Sequence, residues 1–179
     1  RPRSGIPRAG WALSIGAAGL LAWSLVPRLA LFATTSAEVL RYPWVVDAAE
    51  SVNLQSAHTL SQGRDPYRAD PNGFVSTPYP PVYLALAAIW LRLGGVDLLG
   101  GRVISLVATL VVAGLIGLLV ARETGQRAAG LIAGCLFLAC GPTIVWAAFY
   151  RQDLLALAFG LAGLAWVARW PRGRLVYTK

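Results

Sequence analysis

VISLVATLVVAGLIGLLVA, residues 103–121, decides the fold class. It contains no charged residue and is close to the roughly 20 apolar residues a helix needs to cross a bilayer. Four further apolar runs accompany it, at residues 11–33, 82–93, 128–150 and 154–170. The run at 82–93 is short unless it begins at Tyr79, and the run at 128–150 is interrupted by Gly141-Pro142. These runs predict an all-α membrane protein of about five transmembrane helices, one of them broken at Gly141-Pro142.

Composition agrees. The chain has 179 residues, 56% of them hydrophobic and 13% charged, with a mean hydropathy of +0.58. A soluble domain carries about 25% charged residues, and a disordered chain needs low hydrophobicity. The net charge of +8 is bunched at the ends of apolar runs, in Arg1, Arg3, Arg8 and then Arg169, Arg172, Arg174, Lys179. That is the positive-inside pattern. A nucleic-acid partner would need basic residues spread along one exposed face with stacking aromatics. Cys135 and Cys140 lie in one apolar run without disulfide or metal spacing. There is no methionine, even at position 1, so the chain is expected to be a fragment or to lack its natural start.

One single transmembrane module over residues 1–179 is expected: a first span at 11–33, an outside loop at 34–80, further spans at 81–170 and a basic tail at 171–179. The basic start, apolar centre and small residues at 35–37 also fit a signal-peptide outline. A retained anchor is the expected reading, because further spans follow at once. Arg28, near the far end of that span, would snorkel to the interface.

With the basic N-terminus inside, the polar stretch 42–81 lies outside. With Glu38 it holds five of the eight carboxylates, the others being Asp47, Glu50, Asp65 and Asp70, and it carries the only histidine, His58. Residues 47–62 read as a short juxtamembrane helix, with Asp47 as N-cap and Glu50 at capping-box spacing. Gly63 supplies its C-terminal stop. Asp65-Pro66-Tyr67 and Asp70-Pro71-Asn72-Gly73 are turn chemistry, and Pro80-Pro81 opens the next helix. Gly130 and Gly134 give the small-xxx-small spacing that lets membrane helices approach closely.

Five full spans starting inside would leave the basic tail outside. If residues 128–140 and 143–150 are two short segments joined by a turn at Gly141-Pro142, the tail returns inside. Asp153 then joins Asp47 outside.

Several stretches together resemble a known family: the outside acids, Gly63-Arg64-Asp65-Pro66-Tyr67, Tyr79-Pro80-Pro81-Val82-Tyr83, Gly101-Arg102-Val103-Ile104-Ser105 and Arg151-Gln152-Asp153. In this order they resemble the N-terminal module of GT-C type membrane glycosyltransferases, nearest the branch with protein O-mannosyltransferases and lipid A aminoarabinose transferases. The resemblance implies transfer of a sugar from a polyprenyl-phosphate donor in the membrane lipid to an acceptor of unspecified kind on the non-cytoplasmic face. It implies Asp47 as the general base, Glu50 and Asp153 as supporting acids, and Arg151 as the phosphate-binding cation. It suggests the bacterial inner membrane, with an isolated front module inactive alone. The family's paired acids are looser here, with two alanines between Asp47 and Glu50.

The residues leave other roles open. Asp47 and Glu50 can be caps alone, or hold a divalent metal ion together, whose need the sequence leaves unknown. Arg151 and Asp153 can pair with each other. His58 is read as an interfacial residue bonding a backbone carbonyl, Arg102 as a positive-inside anchor, and Tyr79 and Tyr83 as interface-belt residues. The rival function is a non-enzymatic transporter subunit or assembly partner, whose polar residues would sit at mid-bilayer.

Overall fold

The computed structural model describes residues 8–68, 77 and 79–169, with side chains from position 19 on, position 22 excepted. It is 77% helix, without strands among the described residues. Among the described residues seven helices follow in order: α1 (Arg8–Arg41), α2 (Ala48–Ser61), α3 (Pro81–Gly94), α4 (Leu99–Thr124), α5 (Arg127–Leu138), α6 (Gly141–Trp146) and α7 (Asp153–Val167). Two stretches among the described residues are, by length and composition, long and apolar enough to cross a membrane, Gly19–Arg41 and Leu99–Thr124. The expected turn at 70–73 and the tail beyond 169 lie outside the described residues.

α4 is the axis of the molecule. The backbone of α5 lies directly on it, because both sides of the contact lack bulk. A Cβ on Gly134 would meet the Ala113 carbonyl at 2.8 Å, and one on Gly130 would strike the Gly117 carbonyl. The expected small-xxx-small approach is therefore present. Further along, Thr109 Oγ1 lies 3.1 Å from the Ala147 carbonyl, and Ser105 Oγ lies 2.8 Å from that of Arg151.

These pairs correct the expectation at Gly141-Pro142. The helix does break there, and Pro142 sits in the first turn of α6, where its missing N–H is harmless. The break does not reverse the chain. Rising from Gly130 to Arg151, the partners on α4 descend from Gly117 to Ser105. Residues 127–151 thus run antiparallel to α4 and reach its opposite end.

The run 82–93 is corrected as well. It forms α3, which begins at Pro81 as expected, but α3 stays beside the first turns of α4. The Tyr83 hydroxyl donates to the Gly101 carbonyl at 2.9 Å, and the Trp90 ring rests on the Gly100 Cα. Arg92 Nε donates to the Ser61 carbonyl at 2.7 Å, closing α3 onto the end of α2. Tyr83, Leu84, Ala87 and Leu91 form one face and pack with Ala57 of α2, Leu98 and Tyr150. The opposite face of α3, with Val82, Leu86, Ile89 and Leu93, is exposed, and Tyr83 is buried rather than placed in an interface belt.

α1 runs on to Arg41, well past the expected end at residue 33, so the exposed Arg28 lies within the helix and not at its end. Phe32 meets Ile144 and Ala147, with Leu106 and Leu138 packed against them. This brings the upper half of α1 against α4 and α6.

α2 begins and ends as its sequence dictates. The Asp47 carboxylate accepts from the Ala49 amide at 3.3 Å. At the other end Gly63 takes φ +76°. The Arg64 amide donates to Thr59 O at 3.1 Å and that of Gly63 to Leu60 O at 2.9 Å, which is the Schellman closure. Asp65 Oδ1 accepts from the Tyr67 amide at 2.9 Å, the expected turn.

Candidate functional site

The buried face of α2 is polar: Glu50, Asn53 and Ser56 are fully buried beside Ala57. Polar groups are stable there only with partners: Ser56 Oγ donates to the Val52 carbonyl at 2.7 Å within α2, and Asn53 and Glu50 find partners at the far end of the chain. Asn53 Nδ2 donates to the Tyr150 carbonyl and to Gln152 Oε1, both at 3.0 Å. Glu50 Oε1 accepts from the Tyr150 amide at 2.9 Å. Residues 150–152 are thereby clamped to α2.

Glu50 also meets Arg102. Arg102 Nε donates to Oε1 and Nη2 to Oε2, each at 2.8 Å, with both side chains fully buried. Arg102 Nη1 donates to Val39 O at 2.7 Å and to Tyr42 O, and Nη2 donates to Trp44 O at 2.8 Å. Those bonds use all five N–H groups of a guanidinium. The Val46 amide donates to Glu50 Oε2 at 2.9 Å, so the four acceptor positions of the carboxylate are filled as well. Burial pushes the Glu50 pKa up, but hydrogen bonds from Arg102, Val46 and Tyr150 and the Arg102 charge bring it below its ordinary value.

Two expectations change here. Arg102 is a buried structural cation and not a surface anchor. Glu50 completes a capping bond to Val46, one residue before the expected Asp47 amide, and its remaining capacity is used by Arg102 and Tyr150. It has no acceptor position left to share a metal with Asp47. Among the described residues no three His, Cys, Asp or Glu side chains converge on a metal position.

Asp47, Arg151 and Asp153 do come together. Arg151 Nε donates to Asp153 Oδ2 at 2.7 Å, and Nη1 to Asp47 Oδ2 at 3.3 Å, across 104 residues of chain. The Arg151 guanidinium also lies over the Trp146 ring, 5.1 Å from its centre. Unlike Glu50–Arg102, this cluster is open: the side chains are 30% (Arg151), 27% (Asp47) and 51% (Asp153) exposed. Among the described residues Arg151 keeps three N–H groups uncommitted. Asp47 uses one oxygen for both the cap and the ion pair, which leaves Oδ1 without a partner among the described residues.

Arg151 and Asp153 line a groove of about 400 Å³ together with Phe137, Pro142, Thr143, Trp146 and Leu154. Asp47 is not part of that lining and is joined to it through Arg151. The break at Gly141-Pro142 shapes the groove, since Pro142 and Trp146 both belong to α6. His58 stays outside this arrangement: its Nε2 lies 2.8 Å from Gln62 Nε2, where a backbone carbonyl was expected. Asn53 and Arg102 are the positioning residues that sequence reasoning missed. A cation in the first turn of an apolar helix opposes the helix dipole, which was the available signal for Arg102.

Comparison of the chain with protein-family models, with curated proteins and with solved structures gives no match.

Proposed function

We propose that the chain is the front module of a membrane glycosyltransferase that takes a sugar from a polyprenyl-phosphate donor and works on the non-cytoplasmic face. The observation that supports this most is the open Asp47–Arg151–Asp153 cluster, two of whose members, Arg151 and Asp153, line a mostly apolar groove. A lipid phosphate needs both halves: a cation with free N–H groups for the head, and apolar walls for the first units of the tail. Arg151 binds phosphate through N–H groups not used by the acids. Asp47, with Oδ1 free, accepts the proton of the acceptor hydroxyl or amine as the new glycosidic bond forms. The phosphate leaves with the bonding electrons, its charge held by Arg151.

In this reading four segments cross the membrane: α1, α4, the broken α5–α6 and α7. α2 and α3 lie on the outer surface. Four crossings return the chain to the side on which it started, and they place Arg122, Arg127 and Arg169 on that side as the positive-inside rule requires. Asp47, Glu50, Asp97 and Asp153 fall on the other. A single cysteine replacing Gln55 and one replacing Gln126, in a background lacking Cys135 and Cys140, are expected to react with an impermeant reagent from opposite sides. Both positions are exposed. Five full spans would put both outside, so outside labelling of Gln126→Cys overturns the four-crossing arrangement.

The donor site has its own test. Arg151→Ala in the full-length protein is expected to weaken binding of a fluorescent polyprenyl phosphate by about 10- to 100-fold, the loss of a charged hydrogen-bonding group. Arg151→Lys should recover part of it, because Lys keeps the charge without the fork. Unchanged binding in Arg151→Ala removes the lipid-phosphate reading.

A further inference from the structure

Between α1 and α2 the chain reads Tyr42-Pro43-Trp44-Val45-Val46, and every one of these residues is exposed. Trp44 is 69% and Val46 52% exposed. Five consecutive exposed apolar residues form a patch, not the scattered exposure normal for a surface. The loop is not loose. Its Tyr42 and Trp44 carbonyls are held by Arg102, and the Val46 amide by Glu50. A fully satisfied buried ion pair thus grips the backbone from inside while the side chains point away.

We infer that residues 42–46 are an interfacial anchor, seated in the boundary between headgroups and acyl chains of the outer leaflet. This rests on the membrane reading above. Three observations favour lipid over a protein partner. The loop follows directly on Arg41, the last residue of a stretch apolar enough to span. The helix before it, α1, also exposes large apolar side chains, among them Trp23, Val26 and Leu31. Its composition, Tyr and Trp with two valines beside the exposed Arg41, is that of a membrane-interface belt, with a cation for lipid phosphate. Since Asp47 is the next residue, the anchor sets the height of the Asp47–Arg151–Asp153 cluster above the hydrocarbon, where a lipid-borne phosphate lies.

The test is a nitroxide probe on Trp44→Cys and, separately, on Val46→Cys. The full chain lacking Cys135 and Cys140 is placed in nanodiscs of phosphatidylethanolamine and phosphatidylglycerol, and helicity is checked for each variant. Val111→Cys, exposed on α4, serves as the reference. At 44 and 46, collisions with oxygen are expected to exceed those with a water-soluble nickel chelate, at a depth shallower than position 111. Nickel access at 44 and 46 equal to that of Gln55→Cys would place the loop in water and overturn the anchor. Low access to both reagents would mean that protein covers the loop, and overturns it too. If position 111 is itself open to nickel, the membrane reading fails, a result distinct from failure at 44 and 46 alone.

Discussion

Asp47→Asn in the full-length protein is expected to lower sugar transfer by about 100- to 10,000-fold, the usual contribution of a general base, while insertion and folding persist. The two halves of that expectation come from different atoms. Oδ2 caps α2 through the Ala49 amide at 3.3 Å, and asparagine caps a helix about as well as aspartate. The pair with Arg151 is partly exposed, so its loss costs at most about 1 kcal/mol. What asparagine cannot do is take a proton at Oδ1. Transfer is measured from a polyprenyl-phosphate sugar, with membrane insertion and donor binding followed in the same preparations. Near-normal turnover would sink the base assignment. Loss of turnover together with loss of insertion would instead make Asp47 a cap and no more. Asp153→Asn should be milder, because Asp153 is half-exposed and acts by holding Arg151. A loss confined to donor binding would identify it as a positioning residue.

Local signals in the sequence proved more reliable than long-range ones. Gly63, Pro81, Asp47 and the Gly141-Pro142 break each carry a backbone constraint that acts within a few residues, and each appears where expected. Gly130 and Gly134 also behave as their spacing implies. The direction of the chain after Pro142 was not legible, because a break shows where a helix ends and not where the chain goes next. The packing of the run at 82–93 was hidden for another reason. Its apolarity is equally suitable for lipid and for a protein core, and only its Tyr83 hydroxyl and Arg92, both bonded to backbone carbonyls, distinguish the two. Asp47, Arg151 and Asp153 could be singled out as polar groups beside apolar runs. Their meeting depends on Asn53, Glu50 and Tyr150, whose contacts span about a hundred residues.

Arg102→Leu is expected to be the most damaging single change to stability, by about 3–5 kcal/mol, because it strands the Glu50 charge in the interior. Elsewhere, replacing both members of a buried pair by apolar residues can restore stability. Here the double variant Glu50→Leu with Arg102→Leu should remain well below the wild type. The pair also satisfies the carbonyls of Val39, Tyr42 and Trp44 and the amides of Val46 and Tyr150. The Tyr150 amide is buried, and leaving a buried group without a partner costs about 1–3 kcal/mol. Thermal unfolding in detergent, followed by helicity, reads both effects; an unchanged Tm in Arg102→Leu would refute the role. The pH dependence has a definite sign. Glu50 titrates below its ordinary value in the folded state, so its contribution is fully present above that value, about 4.3. It is lost as pH falls from there through the lowered folded pKa. Glu50→Gln should therefore narrow the gap to wild type as the medium is acidified below about pH 4. It also leaves Asp47 untouched, so any fall in transfer at neutral pH would come from the displaced 150–152 segment and the Arg151 it carries.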